Sequence, residues 1–309
     1  MKKCIFVHMK RLGIKIVVGL MRLLALQPLR IHQKWANLFR WLLLHVLHYR
    51  RQVVTVNLAR AFPELKYGEL KQIEKDFYLH FCDIVTETIW FAGAADHERL
   101  HRQEIVRVTN PELINDVYLH TPGVVMLASH CGNWELSGGI EHYFYDGAKM
   151  AFDEHTYSVV YKRVESDFWD EIMAQNRCAA IQDRANCCVE SKDILRYAVA
   201  HRNEHHIYLF PTDQYPYGYA AFAHIGNFMN QPTKTMTGAA ALACRLGFSV
   251  VYLGMNREAR GRYQMTYTLI TRDAAAMTPE AVMRSYYDLL EADIRRDPAN
   301  YLWTHKRWK

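Results

Sequence analysis

The first 63 residues of this 309-residue chain contain no acidic side chain. The first acid is Glu64, whereas twelve of the 38 Lys and Arg residues lie within the first 60 residues. The same region lacks a run of about 18 uncharged apolar residues, which a membrane-spanning helix requires. Its two apolar stretches, Ile14–Leu26 and Trp35–Leu47, are interrupted by basic residues. This combination favours short basic amphipathic helices that lie in an anionic membrane surface.

Other interpretations of the basic N-terminus were compared with this one. An organelle transit peptide is also Arg-rich and acid-poor, but no small-residue cleavage site is visible before the folded body. A nucleic-acid-binding arm would lack the long apolar stretches, so we expect no nucleic-acid partner. A single membrane span and plain core helices stay open as alternatives. We therefore predict a membrane-associating segment at residues 1–48 and one α/β domain at residues 49–309.

Motifs that define several enzyme classes are missing from the sequence. No G-x-S-x-G is present, which argues against a serine hydrolase, and no P-loop or G-x-G-x-x-G offers a cradle for nucleotide phosphates. The seven cysteines have no C-x-x-C spacing, so they do not suggest a disulfide framework and indicate a reducing compartment. The adjacent pairs Cys187-Cys188 and His205-His206 lack zinc spacing, and we expect neither a metal nor another cofactor.

Short β-branched and aromatic runs alternate with helical segments from residue 123 onward. Strands are predicted at Gly123–Ala128, Ser158–Tyr161, His206–Phe210, Ser249–Leu253 and Tyr263–Ile270. Helices are predicted near residues 133–145, 166–177, 187–202, 233–246 and 279–296. The alternation predicts an α/β fold with a mostly parallel central sheet flanked by helices, after a helical N-terminal membrane-associating extension. In such sheets, functional side chains gather at the carboxyl ends of the strands.

A histidine and a glutamate follow the first of these strands at a spacing of five. The segment after Gly123–Ala128 reads Ser-His-Cys-Gly-Asn-Trp-Glu, and a strand–turn–helix lets His130 and Glu135 face each other. An imidazole can take a proton from a hydroxyl near neutral pH, while a carboxylate on its other nitrogen fixes the tautomer. We therefore predict that His130 is a general base and that Glu135 orients it. The alternative is a buried, hydrogen-bonded histidine and a glutamate that complements a helix N-terminus.

The segment Ser129–Leu136 (SHCGNWEL) resembles the His-x4-Asp/Glu box of the bacterial lipid A biosynthesis acyltransferases, the lauroyl/myristoyl transferase group. Further stretches resemble the same family in the same order: Tyr49–Glu64, Val159–Arg177, Pro211–Gln214, Phe228–Thr237 and Tyr301–Lys309. The resemblance spans roughly residues 35–309. It departs from many members at Ala223–Asn227, where an aromatic-Phe-Gly run is usual, and in the stretch Arg177–Cys188.

The resemblance implies an acyltransferase. Such an enzyme takes a fatty acyl group from acyl carrier protein, or from acyl-CoA, and esterifies a hydroxyl of a lipid A precursor or related glycolipid. It would work at the cytoplasmic face of the bacterial inner membrane, as a peripheral or single-pass protein on an anionic surface. His130 and Glu135 would be catalytic, Arg177 would steady a phosphate or sugar of the acceptor, and Asp213 and Gln214 would line the cleft.

The remaining candidate residues have structural alternatives. Asn133, Lys162 and Arg163 are predicted to bind substrate, the last two through a phosphate, although a solvated strand end is an equal explanation. A positive charge such as Arg177 also suits the end of a helix, and an aspartate such as Asp213 suits a turn. Two further functions stay open: the same chemistry on a phosphoinositol mannoside, an aminolipid or a lysophospholipid, and a non-catalytic membrane-surface module.

Overall fold

The computed structural model describes residues 2–182, 187–218 and 220–308, with the backbone alone for residues 2–8. Residues 183–186 of the atypical stretch Arg177–Cys188 and the last residue of the C-terminal motif, Lys309, lie outside the described residues.

The first 103 residues are helical. Their elements are α1 (Lys2–Ala25), α2 (Leu29–His45), α3 (Arg51–Ala61), α4 (Tyr67–Phe91) and α5 (His97–Gln103). Helix α3 ends before Phe62-Pro63, as predicted, because proline disfavours a helical conformation of the residue before it. Helix α4 packs against α1, α2 and α3, and it carries an unusual number of buried polar groups, among them His80, Asp83 and Glu87.

The N-terminal helices carry exposed apolar side chains. Among the described residues, no helix alone is both long and apolar enough to cross a bilayer. The segments Met9–Ala25 and Leu29–His45 together have the length and composition, but they meet at an angle of 114°. The exposed residues are Met9, Leu12, Ile16, Leu20, Leu23 and Leu24 on α1, and Trp35, Leu38 and Trp41 on α2.

An eight-stranded sheet forms the centre of the rest of the chain. Its strands are β1 (Val106–Val108), β2 (Gly123–Ala128), β3 (Phe144–Tyr145), β4 (Tyr157–Tyr161), β5 (Cys188–Glu190), β6 (His206–Pro211), β9 (Ser249–Ala259) and β10 (Arg262–Thr271). The strand order is β3-β1-β10-β9-β2-β6-β4-β5. Only the β9–β10 hairpin is antiparallel; every other neighbouring pair is parallel. A separate antiparallel hairpin joins β7 (Phe222–Phe228) to β8 (Gln231–Met236).

Helices cover both faces of the sheet. They are α6 (Pro111–His120), α7 (Asp167–Arg177), α8 (Ile194–Ala200), α9 (Gly238–Leu246) and α10 (Pro279–Arg296), with a 3-10 helix at Trp134–His142. Alternate side chains of β2 enter different cores because successive residues of a strand point to opposite faces. Val125 and Leu127 pack in the core under α9 and α10, while Val124 and Met126 pack in the core under α4 and α6. The predicted α/β class and mostly parallel sheet are thereby confirmed.

Three predicted helices were wrong in type or extent. The segment 133–145 forms the 3-10 helix and then β3; its Gly138 passes so close to α7 that an added Cβ would lie 1.9 Å from the Arg177 carbonyl oxygen. The segment 187–202 opens with β5, which pairs with β4 before α8 begins. The segment 233–246 opens as β8 and is helical only from Gly238, since its first residues pair with β7. The helices predicted at 166–177 and 279–296 are confirmed.

The cysteines also differ from expectation. The end of α7 and the start of β5 bring Cys178 and Cys187 together as a disulfide, although their sequence spacing gave no such signal. This pairing corrects the expectation of a chain without disulfides. It also removes the support that cysteine spacing gave to a reducing compartment.

Candidate active site

Two neighbouring strands deliver a histidine and an aspartate to the same edge of the sheet. Strands β2 and β6 are parallel, with Ala128 opposite Pro211. Two residues beyond this last pair, the chains carry His130 and Asp213. Because the strands run in the same direction and in register, these side chains emerge together at the carboxyl edge. Nδ1 of His130 lies 2.6 Å from Oδ1 of Asp213.

The hydrogen bonds of His130 indicate which nitrogen can act as a base. With its proton on Nδ1, the imidazole donates to the Asp213 carboxylate and keeps a lone pair on Nε2. The side-chain amide of Gln214 lies 3.2 Å from that Nε2 and can donate to it. The side chain of Asp213 is 2% exposed and that of His130 is 15% exposed. The carboxylate is therefore sealed in the protein, while the imidazole keeps a route to the surface.

Charge stabilises the protonated form of this imidazole. Burial by itself would lower the pKa of His130, but the charge and hydrogen bond of Asp213 outweigh it, and the net effect raises the pKa above 6.5. Burial would likewise raise the pKa of Asp213, but His130 lowers it below its ordinary value. The pair can thus hold a proton arriving on Nε2 without moving a charge into solvent.

Glu135 occupies a different place from the one predicted. Its Oε1 accepts a hydrogen bond from the Trp134 indole at 3.1 Å, and its Oε2 lies 3.3 Å from Nε of Arg177. In the described part of the chain, no hydrogen bond joins Glu135 to His130. The Trp134 ring meets the imidazole edge-on, with 4.8 Å between ring centroids. The predicted direct contact is therefore corrected: Asp213 holds His130, and Glu135 holds Arg177.

The turn between β2 and the 3-10 helix is held in an unusual backbone shape. Gly132 has φ of +64°, and an added Cβ would lie 3.0 Å from the Met255 carbonyl oxygen. Its N–H donates to the backbone and side-chain oxygens of Asn300, each at 3.1 Å. The next residue, Asn133, is fully buried and donates to Oε2 of Glu87 at 2.9 Å. The prediction that Asn133 binds substrate is therefore wrong, because its side chain faces the interior.

The two basic residues after β4 have partners of their own. Nζ of Lys162 lies 3.5 Å from the centre of the Tyr217 ring, on the segment that follows Asp213 and Gln214. Arg163 pairs with Asp167 at 2.8 Å and with Asp170 at 3.2 Å, both on α7. The structure thus places Lys162 towards the loop after β6. Its placement of Arg163 matches the structural alternative better than a phosphate-binding role.

Two groups have residue types suited to metals. The sulfur atoms of Cys178, Cys187 and Cys188 lie within 4.8 Å of one another, but the first two form the disulfide. A zinc-type spacing, His97-Glu98-x-x-His101, escaped sequence inspection and lies on α5. Nε2 of His97 hydrogen-bonds to a backbone carbonyl at 2.7 Å. Within the described ranges, the two histidines belong to no cluster of three ligand atoms of that size.

A parallel α/β sheet with a histidine–carboxylate pair at the carboxyl ends of neighbouring strands defines a class of proteins that activate a hydroxyl by general-base catalysis. The family model for bacterial lipid A biosynthesis acyltransferases matches residues 2–309, and the chain belongs to this family. Membership indicates an acyltransferase of lipid A biosynthesis and confirms the resemblance seen in the sequence. The match also includes the N-terminal helices. A search of curated proteins finds no match.

Proposed function

We propose that this protein transfers a fatty acyl group from acyl carrier protein, or from acyl-CoA, to a hydroxyl of a lipid A precursor or related glycolipid. His130 is the general base and Asp213 is the carboxylate that orients it. The observation that carries this proposal is the 2.6 Å contact between Nδ1 of His130 and Oδ1 of Asp213. This contact fixes the proton on Nδ1 and leaves Nε2 as the proton acceptor.

The reaction then follows from the protonation state of His130. Nε2 takes the proton of the acceptor hydroxyl while the hydroxyl oxygen attacks the thioester carbonyl. The resulting tetrahedral intermediate collapses, the carbon–sulfur bond breaks, and the leaving thiolate takes the proton back from Nε2. The imidazolium exists only between these two steps. The Asp213 carboxylate stabilises it there, because the two opposite charges are buried beside each other.

Gln214 has a defined part in this proposal. In the absence of substrate, its amide donates to Nε2 of His130. The acceptor hydroxyl must donate to the same lone pair, so it displaces the Gln214 amide. The freed amide then lies beside the reacting hydroxyl, where its N–H groups can bind an oxygen of either substrate.

The Arg177–Glu135 pair supports an acceptor that carries an anionic group. Burial would lower the pKa of Arg177, but Glu135 outweighs it and raises the pKa, so the guanidinium stays charged. This guanidinium also lies 5.8 Å from the centre of the Tyr161 ring, at the end of β4. We propose that an acceptor phosphate binds Arg177 in competition with Glu135, with Lys162 on the same side of the site.

Helices α1 and α2 support a membrane-surface location. They expose large apolar side chains, and α1 carries basic residues at Lys10, Arg11, Lys15 and Arg22. Apolar side chains enter the boundary of the acyl chains while basic side chains meet anionic headgroups. We propose that these helices hold the enzyme on the cytoplasmic face of the inner membrane, where both lipid substrates can reach the site.

Replacing His130 tests the catalytic proposal against a non-catalytic membrane module. Membranes with labelled acyl carrier protein or labelled acyl-CoA are incubated with wild type, with His130→Ala and with the control His120→Ala, whose ring is exposed on α6. We expect transfer by wild type and by the control, and a loss of at least about 10²-fold for His130→Ala. Equal transfer by all three would refute the proposal. Mass analysis of the acylated lipids identifies the acceptor and separates lipid A precursors from the other lipids considered.

A further inference from the structure

Behind the turn that carries His130, a buried glutamate faces a buried asparagine. Glu87 of α4 is 1% exposed and Asn133 is 0% exposed. Oε2 of Glu87 accepts two hydrogen bonds, from Nδ2 of Asn133 at 2.9 Å and from the Tyr263 hydroxyl at 2.7 Å. Helix α4, strand β10 and the turn after β2 therefore meet at a single carboxyl oxygen.

The two remaining oxygens of this pair have no partner. Both Oε1 of Glu87 and Oδ1 of Asn133 are buried without a hydrogen bond among the described residues. A carboxylate and an amide carbonyl are both acceptors, so they cannot satisfy each other while Glu87 is ionised. A protonated carboxyl can, because its O–H donates to the amide oxygen while its other oxygen accepts from the amide nitrogen. One proton on Glu87 therefore satisfies both buried oxygens.

The charges around Glu87 favour that proton. Arg260, a nearby cation, is committed to Asp83 through hydrogen bonds of 2.7 to 2.9 Å. Asp83 lies one turn earlier on α4 and adds a repulsive negative charge. Burial, followed by Asp83, raises the pKa of Glu87 to about 7, against the hydrogen bonds of Tyr263 and Asn133 and the charge of Arg260. His80, on the same helix, is kept neutral because burial lowers its pKa to about 3.

This contact acts on the turn that positions the base. Asn133 precedes the 3-10 helix Trp134–His142 but makes no side-chain capping bond to it, because its side chain points to Glu87. The other side of the turn is fixed by Asn300, which binds the Gly132 N–H and the Met255 carbonyl oxygen. Glu87 and Asn300 thus hold the turn from two directions, and His130 lies three residues before Asn133.

We propose that Glu87 is a positioning residue that works in its protonated form, pairing through both carboxyl oxygens with the Asn133 amide to hold the turn of His130 in its active shape. The catalytic part of this inference rests on the proposed function of His130; the protonation part does not. Loss of the proton places an uncompensated charge behind the turn and breaks one of the two bonds to Asn133.

The variant Glu87→Gln separates the protonated form from the ionised one. Its amide nitrogen can donate to Oδ1 of Asn133, and its oxygen can accept from Asn133 and Tyr263, as the protonated acid does. We expect equal kcat for the variant and wild type at pH 6. At pH 8, one unit above a pKa of about 7, the variant should exceed wild type by roughly tenfold. Glu87→Ala should lose activity at both pH values, and the control Glu112→Gln, at an exposed position of α6, should follow wild type.

Thermal unfolding supplies a test that needs no activity. A folded-state pKa raised above 4.5 stabilises the fold below that value, and this stability is lost as the pH rises through about 7. The melting temperature of Glu87→Gln relative to wild type should therefore increase between about pH 5 and pH 7 and then level off. A variant that is less stable than wild type by the same amount at every pH, or whose activity ratio does not change with pH, would overturn the proposal. If His130→Ala stays active, the proposed function fails, but the unfolding experiment still decides the protonation of Glu87.

Discussion

The substitution Asp213→Asn removes one charge from the pair with His130 and keeps the shape of the side chain. An asparagine amide can donate to Nδ1 of His130, whereas the carboxylate can only accept from it. The variant therefore favours the tautomer whose proton is on Nε2, which cannot act as a base. Because asparagine leaves no unpaired buried charge, we expect the fold to stay intact.

The size of the effect follows from the contact itself. A charge-assisted hydrogen bond contributes about 1.5–3 kcal/mol, which corresponds to a rate loss of roughly 10- to 150-fold. The 2.6 Å distance and the 2% exposure of Asp213 place this pair at the upper end. The wrong tautomer adds to the loss; the same replacement in serine-protease triads costs about 10⁴-fold. We expect kcat/KM to fall by about 10²- to 10⁴-fold.

The dependence of kcat/KM on pH gives a second, independent readout. In wild type the acidic limb should lie above pH 6.5, because Asp213 raises the pKa of His130 against the effect of burial. In Asp213→Asn only the burial effect is left of these two, so the acidic limb should move to lower pH. The assay is acyl transfer to purified acceptor between pH 5 and 9, with Asp288→Asn, an exposed aspartate of α10, as control. Activity within threefold of wild type and an unmoved acidic limb would refute the assignment of Asp213.

Two further predictions use the same assays. Glu135→Gln breaks the ion pair with Arg177, so it should raise KM for the acceptor by roughly tenfold and move the acidic limb less than Asp213→Asn does; a larger movement would make Glu135 the orienting carboxylate. The double variant Leu12→Asp and Leu20→Asp should release the protein from anionic vesicles in a flotation assay, because it places charges on the exposed apolar face of α1. The control Leu119→Asp, at a similarly exposed leucine of α6, should stay bound; retention of the double variant would place the attachment elsewhere.

The strands that build the site could be predicted because they are buried on both faces. The run Gly123–Ala128 is a parallel strand covered by helices on each side, so it appears in the sequence as an unbroken apolar segment. The hairpin of β7 and β8 was missed for the opposite reason. Both strands are partly exposed, and Gln231–Met236 contains a proline and a lysine, so its pairing is invisible before the partner strand is known.

The partner of His130 shows a different kind of limit. Its position could be predicted from the end of an apolar strand, but a spacing of five residues along the chain pointed to Glu135. The sequence does not reveal that β6 lies next to β2, and only that adjacency places Asp213 against Nδ1. Glu87, 43 residues before His130, gave no sequence signal, because a polar residue inside a long helix usually faces water.

The backbone ladder between β2 and β6 sets the spacing of the two reacting groups. Their separation is determined by interstrand hydrogen bonds that begin at Gly123 and His206, and it does not depend on the surrounding loops. Loops such as the one after Gln214 are therefore free to diverge and accommodate different lipids, whereas one residue inserted before either Asp213 or His130 would turn that side chain to the opposite face of the sheet.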